Sequence, residues 1–155
     1  MLALYLRYWW FCARRTLAWG VLRVPSMTKH SCKERLTAEL HGRLADLRKF
    51  AVGGFNSDTD VPDLGSFNEY GLSFDYVAPG TFRDQRRGYW RYQLSWGGPS
   101  DEFRFYGSDE RSVPDRIEYW FLDWFDGAHR VLRGKQEALL LHVWQEYERA
   151  MREVV

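Results

Sequence analysis

Residues 89–106 read YWRYQLSWGGPSDEFRFY, and this stretch decides the fold. In its first half Trp90, Tyr92, Leu94 and Trp96 alternate with Arg91, Gln93 and Ser95, the two-residue period of a strand with one apolar face. In its second half Phe103 and Phe105 alternate with Glu102, Arg104 and Tyr106. Gly97, Gly98 and Pro99 favour a turn over a ladder, and the loop GGPS is too irregular for a minimal two-residue turn. A hairpin follows. Pairing of the two strands puts Arg91 and Gln93 on the same outer face as Glu102 and Arg104. Cross-strand charge pairs there would help hold the register, at about 0.2–1 kcal/mol each.

Upstream, GLSFDYV (71–77) alternates Leu72, Phe74 and Tyr76 against Ser73 and Asp75, which predicts another half-buried strand. The turn APG closes it, and the basic loop TFRDQRRG leads into Tyr89. Downstream, RIEYWFLDWFDGA (116–128) fits two periods. As a helix it lines Ile117, Trp120, Phe121, Trp124 and Phe125 on one face; as a strand over 116–126 it opposes Trp120, Leu122 and Trp124 to Ile117, Tyr119, Phe121 and Phe125. Its aromatic content and the short distance between Pro114 and Gly127 favour the strand. Two apolar faces would then put it centrally or under a second layer.

Helices flank this aromatic centre. From Ser31 to Ala51, Leu36, Leu40, Leu44 and Leu47 recur at helical spacing, and Ser31 with Glu34 fits a capping box. From Lys135 to Arg152, Leu140, Val143, Trp144, Tyr147 and Met151 share one helical face. Gly53, Gly54 and the run NSDTDVPDLGS between helix and first strand read as loop. The expected fold class is α+β: an antiparallel sheet of three to four strands, with an N-terminal and a C-terminal amphipathic helix packed on one face.

A length of 155 residues suits one domain. Residues 1–26, MLALYLRYWWFCARRTLAWGVLRVPS, carry four arginines and no acid, so the remaining 129 residues hold 18 bases and 21 acids. Arg7, Arg14 and Arg15 cut the apolar runs of this extension well below the roughly 20 residues a membrane-spanning helix needs. Its charge and apolar order also runs nearly opposite to that of a signal peptide. Two readings remain for it. One is an interfacial helix; the other, which the compositional break at Pro25–Met27 favours, is that Met27 is the functional start and residues 27–155 form a single α+β domain. Cys12 and Cys32 give no disulfide framework, and a reduced cytoplasmic setting is the default.

Motifs with established chemistry are missing. His30, His41, His129 and His142 have no neighbour at metal-ligand spacing, and neither cysteine belongs to a CxxC pair, so no metal or cofactor is expected. Ser95 lacks the context of a nucleophile, and the glycine pair lacks the spacing that cradles phosphate. Adjacent carboxylates such as Asp101 and Glu102 could in principle act as acid and base, but pairs of this kind at strand starts are usually solvated. An enzymatic role would need a concave site gathering Asp123 or Glu102 with a histidine. Asp123, inside WFLDWF, is the exception among the acids: it must find an arginine or backbone N–H partner, or face out.

The core from about Asn68 to Gly127, with NEYGLSFDYV, YWRYQLSWGGPSDEFRFY and IEYWFLDWFDGA, resembles small accessory proteins carried by bacterial plasmids, integrative elements and phages. That resemblance implies an accessory protein of a mobile element that acts by binding a host protein, and it carries over no site residues. Split charge patches and surplus aromatics point the same way, to a non-enzymatic protein-binding domain. Its expected contact surface comprises the acidic loop Asp58, Asp60 and Asp63, the basic loop Arg83, Arg86 and Arg87, the hairpin loop with Trp96, Asp101 and Glu102, and the cluster around Asp123. The alternative is single-stranded nucleic acid bound by the sheet and the basic loop, as arginine alternating with aromatics can stack bases.

Overall fold

The computed structural model describes residues 30–55 and 60–153. The 1–26 extension and Asp58 lie outside them. Helix α1 (Cys32–Val52) starts where the sequence predicts: Glu34 N–H donates to the Ser31 hydroxyl, and the Ser31 N–H donates back to the Glu34 carboxylate at 2.9 Å. Leu36, Leu40, Leu44, Leu47 and Phe50 form its buried stripe. Full burial of each leucine is worth about 1.5–3 kcal/mol relative to exposure, so α1 is held mainly by what it covers.

The loop after α1 contains a one-turn helix, α2 (Phe67–Tyr70), opened by a second reciprocal Ser66–Glu69 cap. Five strands follow: β1 (Ser73–Val77), β2 (Tyr89–Ser95), β3 (Ser100–Tyr106), β4 (Arg116–Asp123) and β5 (Asp126–Val131). They form one antiparallel sheet in the order β1-β2-β3-β4-β5, a plain meander in which each strand pairs with its neighbour in sequence. Helix α3 (Lys135–Glu153) ends the described chain. None of the helices described is long and apolar enough to cross a membrane.

The expected three to four strands are five. Residues 116–126 are strand rather than helix, but the chain reverses inside them. Asp123 pairs with Asp126 across a two-residue turn made by Trp124 and Phe125, and β5 runs back along β4. Such turns usually place glycine, asparagine or aspartate where φ is positive. Here Trp124 holds φ 56°, so no sequence signal marked the turn.

Both helices cover one face of the sheet, as expected. Tyr92, Phe103, Phe105, Ile117, Tyr119 and Phe121 point into this layer and pack with the α1 leucines, Leu140, Val143 and Trp144. At the β1 side the layer is aromatic: Phe74 stacks on Tyr147 at 4.0 Å, and Trp90 meets Trp144 edge-on at 6.1 Å. Gly71 is required by this packing, because a Cβ there would lie 2.0 Å from the Tyr92 ring.

Candidate functional site

Among the described residues, the opposite face of the sheet carries no helix. Its cross-strand rows follow from the register: Ser73, Gln93, Glu102, Trp120 and His129 form one, and Asp75, Arg91, Arg104 and Glu118 the next. A groove of about 770 Å³ runs over these rows, lined by Arg91, Arg104 and Arg116 from the strands and Arg86 and Arg87 from the β1–β2 loop, with Trp96, Tyr106 and Trp120 among its aromatic walls. Gln85 shapes the loop by donating its side-chain amide to the carbonyls of Ala78 and Arg87. Arg87 anchors it on the far side, donating to Gly107 O at 2.8 Å and to Asp115.

The groove arginines are held from beneath. Glu102 and Glu118 are 4% and 1% exposed, yet each binds a guanidinium that reaches the groove, Arg104 and Arg116 respectively. Trp120 Nε1 donates to the second oxygen of Glu118 at 2.8 Å. The Arg104 guanidinium lies 3.8 Å above the Trp120 ring and 4.7 Å from that of Tyr89. Burial pushes the Tyr89 phenol up to about 12. Burial works against the charge of Arg91, but the hydrogen bonds it donates to Asp75 outweigh it and raise its pKa. The charge pairing expected between β2 and β3 is therefore redistributed: Arg91 pairs with Asp75 on β1, Glu102 pairs with Arg104 along its own strand, and Arg91 faces Arg104.

Of the residues expected at a contact surface, Arg86, Arg87, Trp96 and Glu102 meet in this groove. Asp60 and Asp63 are exposed before α2 and do not line it, and neither does Arg83. Asp101 corrects its expected position most. It is a strand residue, not part of the hairpin loop, and is 2% exposed on the helix side. Arg43 of α1 donates to both its oxygens at 2.7 and 3.0 Å, the Tyr119 hydroxyl donates at 2.8 Å, and Ser95 Oγ joins them. Burial, then Asp101, drives the Tyr119 pKa far above the usual phenol range. Burial opposes the Arg43 charge, and the contacts to Asp101 and Tyr70 overcome it. Asp101 is a structural tie between helix and sheet.

Asp123 finds the arginine that its setting demands. Arg35 of α1 binds it at 2.8 Å, while Asp126, across the turn, accepts the Cys32 N–H at 2.6 Å. The β4–β5 turn thus grips the first turn of α1, and a cleft of about 300 Å³ beside it is lined by His30, Ser31, Asp123 and Asp126 with the two turn aromatics. Among the described residues, no three His, Cys, Asp or Glu side chains gather closely enough to hold a metal ion.

At this end of the sheet the apolar side chains are in water. Trp96, Trp124 and Phe125 are 79%, 79% and 104% exposed, and exposed Leu72, just before β1, is tied to β2, the strand that leads to Trp96, through its N–H to Gln93 O. Trp96 also lines the groove, so the two surfaces are continuous. Neither a known family, nor a curated protein, nor a solved structure matches the chain. The site must be read from its own geometry. Sequence reasoning put Arg104 on the outer face of the hairpin but missed Arg116 and Trp120 as groove groups; their shared parity on β4 was the available signal, once β4 is known to pair with β3.

Proposed function

We propose that the chain is a non-enzymatic protein-binding module whose anchor is the aromatic end formed by Trp96, Trp124 and Phe125. The observation that carries this reading is their exposure: three large aromatics at one end of the sheet stand in water. Large exposed aromatics grouped beside charged residues mark interfaces, since each removes a large apolar area from water on docking. Trp124 adds a second argument. A bulky residue at φ 56° costs about 1–2 kcal/mol, and such strain is retained mainly where the exposed side chain has a use.

The non-enzymatic part rests on the buried carboxylates. Asp101, Glu102, Glu118 and Asp123 are each engaged by an arginine, respectively Arg43, Arg104, Arg116 and Arg35, which suits structural pairing better than acid–base chemistry. The resemblance to accessory proteins of bacterial mobile elements suggests a host protein in the cytoplasm as partner. The nucleic-acid alternative draws on the groove arginines. The Trp120 ring, the natural base-stacking platform, is taken by Arg104 from β3 and by His129 from β5 at 4.4 Å. Capture of a protein from a bacterial lysate, lost when Trp96, Trp124 and Phe125 are replaced together, is the test.

A further inference from the structure

Five arginines reach one groove from four separate pieces of chain: the β1–β2 loop, β2, β3 and β4. The register sets Arg91 directly opposite Arg104, a like-charge neighbouring that a sheet normally avoids. Their balancing acids do not share the surface evenly. Glu102 and Glu118 are buried beneath the guanidiniums, whereas Arg116 and Arg87 are about half exposed above. Aromatic rings fix the guanidinium planes: Trp120 and Tyr89 under Arg104, Tyr106 beside Arg116 at 5.4 Å and Arg87 at 5.9 Å. Buried anions and rings below, oriented cations above: this is the layout that presents fork-shaped donors to a carboxylate with little ordering left to do on binding. Arg86 completes it, as the groove arginine for which no acidic partner is seen among the described residues.

We propose that this groove binds an extended, acidic segment of a partner protein, its carboxylates taken by Arg86, Arg91, Arg104 and Arg116. The inference deepens the protein-binding reading by naming the partner's chemistry. It commits to a peptide rather than a polynucleotide, because the Trp120, Tyr89 and Tyr106 rings each have a guanidinium against them, and because Trp96 joins the groove to the apolar anchor.

The test is an NMR titration of the full-length, nitrogen-labelled chain with synthetic peptides of alternating Glu and Ala, with a Gln–Ala peptide and an oligothymidylate as comparisons. The Glu–Ala peptide should shift the Trp120 indole N–H, the Arg91 and Arg104 signals and the amides of residues 84–87, and added salt should reverse the shifts. Arg86→Gln, which breaks no ion pair, should weaken this binding about tenfold. Arg91→Lys, which keeps the charge and loses the fork, should weaken it less than Arg91→Gln. Equal shifts with the Gln–Ala peptide, no shifts at millimolar Glu–Ala peptide, or shifts with the oligothymidylate alone would overturn the proposal. Replacement of Trp124 and Phe125, which do not line the groove, should leave Glu–Ala shifts at Arg104 in place, so failure of the aromatic anchor and failure of the acidic groove are told apart.

Discussion

Asp101 shows how much one side chain can decide. Removal of its carboxylate leaves Arg43 three-quarters covered with no counter-charge and leaves the buried Tyr119 hydroxyl without its acceptor. Breaking a buried pair from one side costs about 3–5 kcal/mol, so Asp101→Ala should lower the urea midpoint by that equivalent, with an unchanged midpoint contradicting the role. Asp101 was legible in principle, since it shares parity with Phe103 and Phe105, which face the helices. The nearby Gly-Gly-Pro obscured this by making Ser-Asp-Glu read as loop. Asp123 was legible in fact: a carboxylate amid WFLDWF had to find a partner, and Arg35 supplies it. Trp96 failed the same parity test, because the β2–β3 register shifts after Gln93 and β2 ends at Ser95, releasing the indole to solvent.

At the scale of elements, α1, α3, β2 and β3 follow from apolar spacing alone, as each has one face buried and one polar. β5 does not, because DGAHRV is an edge strand with little to bury and no alternation to read. Its turn is also unmarked, as Trp124 and Phe125 occupy positions that usually announce themselves by glycine. Trp124→Gly should therefore relieve the left-handed strain, leaving stability unchanged or raised by up to about 1 kcal/mol, while weakening partner capture. Thermal melting checks the first half. A loss of several degrees would mean that the indole is there to hold the turn against Gly98, whose added Cβ would lie 2.7 Å from Trp124 Nε1.

For the whole molecule, the sheet divides two kinds of polar chemistry: Asp101, Arg43 and Tyr119 bind it to the helices, and the arginine groove faces outward. Its tyrosines also set an alkaline limit. Burial raises Tyr70 and Tyr89 from an ordinary value of 10.0 to about 12. The folded state therefore holds these protons after the unfolded state has lost them, so their stabilisation is intact below pH 10 and lost as pH rises from about 10 to about 12. Denaturant midpoints should fall across that window, together with the rise of tyrosinate absorbance. A flat stability curve there would contradict the buried placement of both phenols. The central claim concerns the aromatic end, and one comparison addresses it directly: partner capture from bacterial lysate by the folded chain and by an equally folded triple variant, Trp96→Ala, Trp124→Gly and Phe125→Ser. The account predicts a protein retained by the first and lost from the second at matched melting temperature. Retention of the same protein by both, or of nothing above background by the folded wild type, would contradict it.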